Sequence, residues 1–166
     1  MIKITKIHKK FNAGSINEVY ALRNISLDIK DGEWTTIIGT NGSGKSTLLN
    51  AIAGSFLPDS GRIILDGEDI TNYRDYQRAK HISRVFQNPF MGTAPDMTIA
   101  ENLYLAEMRG RSRLPKIGFT SSRISHYKNL IQELEMQLEN RLDNIIGTLS
   151  GGQRQAITLL MAVIIK

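Results

Sequence analysis

The glycine-rich segment Gly39–Thr47 constrains the fold of this chain more than any other feature. It fits the pattern G-x4-G-K-[ST], in which glycines adopt positive φ and turn successive backbone N–H groups toward an anion. An apolar strand is predicted before it, at Glu33–Ile38, and a helix after it, at Ser46–Ala53. That helix would direct its N-terminus at the same anion, while Lys45 and the Ser46 hydroxyl reach outer phosphates and a Mg²⁺ ion. The segment therefore predicts a nucleoside triphosphate site.

The composition predicts a cytosolic globular domain. The 166 residues are 41% hydrophobic and 22% charged, and they include no cysteine. The longest apolar stretch, Ala156–Ile165, is about half of the roughly 20 residues that span a bilayer. The start of the chain alternates apolar and polar residues, unlike a signal peptide. The net charge of +5 suits anionic partners such as nucleotide phosphates, nucleic acid or a membrane face, and it also suits an ordinary surface.

The two halves of the chain have different hydrophobic patterns. Besides the strand before the loop, alternating apolar residues and turn signals predict strands over Ile2–Ile7, Leu22–Ile29, Arg62–Leu65 and Ile82–Phe86. The second half has helical spacing, and helices are predicted over Thr98–Arg109, Ser122–Leu138 and from Ser150 to the end of the chain. Thr98 and Glu101 have the spacing of a capping box. A basic loop is predicted at Gly110–Thr120.

A second motif, Leu149–Gln153, reads LSGGQ and opens the last predicted helix. Ser150 can cap this helix, and two glycines after it leave the first backbone N–H groups open to another anion. Together with the phosphate-binding loop, the motif resembles the ATP-binding-cassette (ABC) ATPases, whose signature is LSGGQ. The resemblance extends over the whole chain and implies an α/β P-loop NTPase of ABC type.

The resemblance implies an antiparallel β subdomain, an ATP-binding core and a helical subdomain. Residues 1–87 would form the β subdomain and the loop-bearing core, residues 88–148 the helical subdomain, and residues 149–166 the signature and its helix. The nucleotide-binding residues of the loop would be Gly39, Thr40, Asn41, Gly42, Ser43, Gly44, Lys45, Ser46 and Thr47. We expect ATP and Mg²⁺ as the bound groups.

Further roles come from the same resemblance. Gln87, in Val85-Phe-Gln-Asn-Pro89, is similar to the family glutamine that reaches Mg²⁺ and the attacking water. Lys45 and Gln87 would then be catalytic, and Ser46 and Gln87 would contact the metal. Phe11 matches the aromatic residue that stacks on adenine, a position where the family has tyrosine more often, and Tyr20 is the rival candidate.

In the family, two nucleotide-binding domains face each other head to tail. The resemblance therefore implies that the signature residues act on ATP bound by a second copy of the subunit; these residues are Ser150, Gly151, Gly152 and Gln153. It also implies transmembrane permease subunits, with Thr98–Leu138 as the docking region. The protein would lie on the inner face of the cell membrane, with no nucleic acid partner.

Family members carry an Asp at a strand end, a Glu that polarises water and a switch histidine, all after the signature. This sequence stops before those positions, so the resemblance implies a truncated chain that lacks the C-terminal part of the core and hydrolyses little ATP. Asp66 follows an apolar strand, but Asp66-Gly67 is a turn dipeptide, and no catalytic role is assigned to it. The three histidines all precede the signature.

Three functions are compatible with these motifs. The first is the ATP-hydrolysing subunit of a membrane transporter. The second is a soluble ABC ATPase that acts on nucleic acid, which the basic stretch Arg109–Lys116 favours and the absence of a long coiled coil disfavours. The third is a non-catalytic nucleotide-binding module. We expect the transporter subunit.

Overall fold

The structure is a computed structural model that describes residues 1–111 and 118–165. It consists of two compact units, Met1–Ile82 and Ser83–Lys166. The basic loop predicted over Gly110–Thr120 lies mostly outside the described residues.

The first unit contains one antiparallel sheet of four strands in the order β2-β1-β3-β4. The strands are β1 (Ile2–Phe11), β2 (Val19–Ile29), β3 (Ser60–Leu65) and β4 (Glu68–Asp69). Ile4 lies opposite Leu27 of β2 and opposite Ile63 of β3. The predicted strands at Ile2–Ile7, Leu22–Ile29 and Arg62–Leu65 are confirmed, and each extends a few residues further than its pattern indicated.

Two helices accompany this sheet, α1 (Lys45–Ala53) and α2 (Asp75–Arg78). The predicted helix at Ser46–Ala53 is confirmed as α1, which ends at Gly54 in the left-handed conformation, with a φ of 83°. The core of the unit joins buried residues of the sheet, of α1 and of the turn after β4; these are Ile4, Ile7, Leu22, Leu48, Ala51, Ile63 and Ile70. This core fixes α1 against the sheet.

The strands predicted at Glu33–Ile38 and Ile82–Phe86 are not formed, so these predictions are wrong. Trp34 is 99% exposed and Ile38 is 89% exposed. An apolar segment becomes a strand only when a neighbouring strand pairs with its backbone. Within residues 1–111 and 118–165, the ladders join β1–β4 to one another, and none includes either segment.

The second unit is helical. Its α-helices are α3 (Ile99–Glu107), α4 (Ser121–Gln132) and α5 (Gly151–Val163), with short 3₁₀ helices at Pro89–Gly92 and Ile146–Thr148. The core includes buried residues from all three α-helices and from the segments between α4 and α5; these are Ile99, Leu103, Tyr127, Ile131, Leu138, Ile146 and Ile157. No helix within the described ranges is both long and apolar enough to cross a membrane.

The predicted starts of these helices agree with the structure, but the predicted ends do not. Thr98 and Glu101 form the expected capping box at the start of α3. The helix predicted to run to Leu138 ends at Gln132, because Glu135 and Gln137 adopt positive φ values of 54° and 56°. Leu138 still joins the core, so the apolar stripe continues across a turn.

Candidate functional site

The loop before α1 depends on glycine at Gly44, the N-cap of that helix. Gly44 has a φ of 90°, and a Cβ atom at this position would lie 2.6 Å from the carbonyl oxygen of Ala21 in β2. No side chain caps α1. The backbone N–H groups of Lys45, Ser46 and Thr47 have no carbonyl four residues earlier within the helix, so they are available to an anion.

Lys45 brings a positive charge to the same loop. Its ammonium Nζ donates to the carbonyl oxygens of Gly39 at 2.8 Å and Thr40 at 2.7 Å, and lies 3.4 Å from the Ser43 hydroxyl. The side chain therefore curls back over the loop whose backbone it holds. A flexible ammonium with three donors can exchange one of these partners for a phosphate oxygen.

Ser46 and Gln87 offer oxygen ligands of the kind that Mg²⁺ takes. Ser46 is exposed in the first turn of α1, and Gln87 is exposed just before the 3₁₀ helix at Pro89–Gly92. No group of three or more His, Cys, Asp or Glu residues suited to a metal occurs in the part of the chain that the structure describes. Each side chain by itself offers a neutral oxygen of the kind that Mg²⁺ accepts beside substrate phosphates.

Phe11 and Tyr20 differ in how their rings are engaged. Phe11, at the end of β1, is half-buried and packs edge-on against Phe56 with 5.2 Å between ring centroids. The hydroxyl of Tyr20 is hydrogen-bonded to Nδ1 of His8. Lys10 and Arg23 place cations 5.1 Å and 4.9 Å from the centroid of the Tyr20 ring. Phe11 also has a cation, the Lys9 ammonium at 5.7 Å from its ring centroid, so the two rings differ mainly in the hydrogen bond and the second cation at Tyr20.

The signature motif forms the capped start of α5. The Ser150 hydroxyl oxygen accepts from the backbone N–H of Gln153 at 3.3 Å, and the Gln153 side chain accepts from the backbone N–H of Ser150 at 3.2 Å. Because the Ser150 hydroxyl acts here as an acceptor, its own proton can still be donated to an anion. This end of α5 also carries the positive end of the helix dipole.

The fold of this chain does not require glycine at two positions of the signature. Neither Gly151 nor Gly152 has a positive φ, and a Cβ atom at either position would meet nothing within 4 Å. Alanine in their place would also raise the helix propensity of α5. The missing side chains leave the backbone of the first turn open to close approach by another molecule.

Arg154 is a residue that the sequence reasoning missed. Its side chain is 2% exposed, Nε donates to the Thr93 hydroxyl at 2.7 Å, and the guanidinium lies 4.6 Å from the centroid of the Phe90 ring. These contacts join the signature helix to the segment that follows Gln87. The signal was its position three residues before the apolar Ile157, on the same helix face.

The predicted site residues are divided between the two units. The phosphate-binding loop and Phe11 belong to the first unit, whereas Gln87 and Ser150–Gln153 belong to the second. In the first unit, the N-terminus of α1 has no side-chain cap. In the second unit, the N-terminus of α5 is capped by Ser150 and begins with two glycines.

The chain is similar in sequence and in fold to known ATP-binding proteins. The family model for the ABC transporter matches residues 22–166. A tyrosine transport ATP-binding protein of Clostridioides difficile is 42% identical over 98% of this chain, which spans 64% of that protein. A spermidine/putrescine import ATP-binding protein, PotA, of Aggregatibacter actinomycetemcomitans is 36% identical, and the whole chain spans 40% of it. A solved structure of the ATP-binding cassette MJ0796, a dimer in a post-hydrolysis state bound to ADP and Pi, is similar to this chain with a TM-score of 0.79 and 31% identity. The match covers 98% of this chain and 69% of the MJ0796 chain.

Proposed function

Because this chain belongs to the ABC transporter family, we propose that it is an ATP-binding and ATP-hydrolysing subunit that powers solute transport through a separate permease. The proposal rests on the loop Gly39–Thr47. There the Lys45 ammonium lies beside the start of α1, where the backbone N–H groups of residues 45–47 have no helical partner. The membership confirms the fold class that the two motifs indicated.

We assign the nucleotide contacts as follows. The backbone of the loop and the first turn of α1 hold the phosphates, and the Lys45 ammonium contacts the outer ones. Ser46 and Gln87 would each offer a side-chain oxygen to Mg²⁺, which would neutralise charge that develops on the phosphate oxygens. Gln87 orients the attacking water, and Phe11 stacks on the adenine.

The signature acts on ATP held by a second copy of the subunit. The open N–H groups of Gly151 and Gly152 and the free proton of the Ser150 hydroxyl form a set of donors for a γ-phosphate. Support comes from the two glycines, which the fold of this chain does not require. The ATP-binding cassette with the similar fold is a dimer.

The names of the relatives support a transport role but differ in the solute. One relative bears the name of tyrosine transport and another that of spermidine and putrescine import. Since related cassettes serve chemically different solutes, the permease and not this chain selects the solute. Docking through Thr98–Leu138 would place the protein on the inner face of the membrane.

Reconstitution tests this function. The protein would be purified from its native membranes together with its permease, placed in liposomes, and supplied with tyrosine and Mg-ATP, with a Lys45→Ala protein as the control. Solute movement that needs ATP and is lost in Lys45→Ala is the expected result. Copurification with nucleic acid and no membrane protein would instead indicate the soluble ABC ATPase.

The adenine contact gives a separate prediction. Stacking of a base on an aromatic ring contributes about 1–3 kcal/mol, so Phe11→Ala should weaken Mg-ATP binding about 5- to 150-fold. Phe11→Tyr should bind normally, and the matched variant Tyr20→Ala should bind within about twofold of the unaltered chain. Isothermal titration calorimetry measures all three. Loss in Tyr20→Ala alone would assign the stacking role to Tyr20.

A further inference from the structure

Arg78 is a buried cation for which the proposed function has no role. It lies at the end of α2 and is 1% exposed. Its guanidinium donates four hydrogen bonds, all to backbone carbonyl oxygens. Nη1 donates to Ala51 at 2.6 Å and to Ile52 at 2.8 Å, while Nη2 donates to Thr71 and Nε to Tyr73, each at 2.8 Å. Burial lowers the pKa of Arg78 from its usual value, but an arginine remains charged in proteins.

Two of these carbonyls belong to the last turn of α1. About six residues separate this turn from the first turn, which carries Lys45 and Ser46, so the two lie about 9 Å apart along the helix axis. Carbonyl oxygens at a helix C-terminus carry the negative end of the helix dipole, and a cation there offsets it. Arg78 thus neutralises the end of α1 opposite to the predicted phosphate site.

The other acceptors connect α1 to the sheet. The hydroxyl of Thr71, whose carbonyl accepts from Arg78, itself accepts from the backbone N–H of Ile63 in β3 at 2.9 Å. The same hydroxyl donates to Asp69, and the hydrogen bonds from Thr71 lower the pKa of the Asp69 carboxyl. One guanidinium therefore links the end of α1, the turn after β4 and α2.

Gly54 allows this junction to be tight. A Cβ atom at Gly54 would lie 3.0 Å from the backbone nitrogen of Asp75 and 3.1 Å from Cδ of Arg78, and the φ of 83° also favours glycine. The end of α1 is thus held both by hydrogen bonds and by close packing against α2.

We propose that Arg78 is a positioning residue for nucleotide binding. By fixing the C-terminal end of α1 to the sheet, it holds the axis of α1 and keeps the first-turn N–H groups, Lys45 and Ser46 in place for the phosphates. Its charge also strengthens the positive potential at the start of the helix. This inference rests on the proposed function of the loop.

Calorimetric titration with Mg-ATP of the full chain tests the inference, at a temperature well below the unfolding transition of each variant. Arg78→Met removes the charge and the four donors, and it should raise Kd about five- to tenfold with an unchanged stoichiometry. Arg78→Lys keeps the charge and should recover a large part of this loss. The matched control Lys80→Met removes an exposed cation two residues away and should change Kd less than about twofold.

A purely structural role would give another pattern. If Arg78→Met lowers the unfolding temperature or the binding stoichiometry but leaves Kd unchanged, the inference is overturned. Should Arg78→Met not fold, Gly54→Ala disturbs the same junction without changing any charge, and a Kd equal to that of the unaltered chain overturns the inference equally. Absence of Mg-ATP binding by the unaltered chain, or an unchanged Kd in Lys45→Ala, would contradict the proposed function and with it the role of Arg78.

Discussion

Replacement of Lys45 by alanine is expected to weaken Mg-ATP binding about 10- to 150-fold. A charge-assisted hydrogen bond to a phosphate contributes about 1.5–3 kcal/mol, which corresponds to that loss of affinity. In the structure the ammonium lies within 2.8 Å of two carbonyl oxygens of the loop, so it is already at the phosphate site. Titration with a fluorescent ATP analogue measures the change.

The matched control for Lys45 is Lys30, an exposed lysine in the segment before the loop. Lys30→Ala also removes one positive charge from the first unit, and its affinity should stay within about twofold of the unaltered chain. Equal affinities for Lys45→Ala and Lys30→Ala would contradict the assignment of the phosphate-binding loop.

Gly151→Arg is expected to abolish ATP-dependent association of two chains, while a single chain still binds Mg-ATP with unchanged affinity. The new side chain has room within the chain, because a Cβ atom at Gly151 meets nothing within 4 Å. It would, however, occupy the space through which a partner's γ-phosphate must approach the backbone. Sedimentation velocity with and without Mg-ATP measures the association.

Folding and association can be separated in this experiment. Arginine is a better helix former than glycine by about 1 kcal/mol, whereas its charge at a helix N-terminus opposes the dipole by about 0.3–1 kcal/mol, so Gly151→Arg should change the unfolding temperature little. Ser121→Arg places the same cation in the first turn of α4 and should associate normally. If the Gly151→Arg chain still dimerises with ATP, the signature does not act on a second subunit. Ser150→Arg should also block association, but it additionally removes the cap of α5.

Features with a local cause could be predicted from the sequence. The helix after the phosphate-binding loop, its end at Gly54, the capping box at Thr98 and the cap at Ser150 all depend on residues within one or two turns. Nearby residues could not decide whether Glu33–Ile38 and Ile82–Phe86 form strands. Their apolar pattern is genuine, but a strand also needs a pairing partner, which nearby residues do not reveal.

The buried arginines show a second limit of sequence reasoning. Arginine is usually exposed, so the sequence gives no sign that Arg78 and Arg154 are buried. Only the fold shows that Arg78 donates to backbone carbonyls and that Arg154 donates to a hydroxyl. The choice of Phe11 over Tyr20 came from the family resemblance and stays a prediction, although the structure shows that the two rings have different neighbours. The two glycines of the signature, by contrast, were identified from the sequence.

Hydrogen exchange of the backbone amides tests the central claim, that this chain binds ATP at the start of α1. Peptides covering residues 42–48 would be followed by mass spectrometry in Mg²⁺ alone and in Mg-ATP. Bound phosphates should protect the amides of Lys45, Ser46 and Thr47 within these peptides, because these three have no helical partner, and Mg²⁺ alone should not. Protection at residues 42–48 that Lys45→Ala removes is the expected result. Unchanged exchange there at a nucleotide concentration that saturates binding would contradict it.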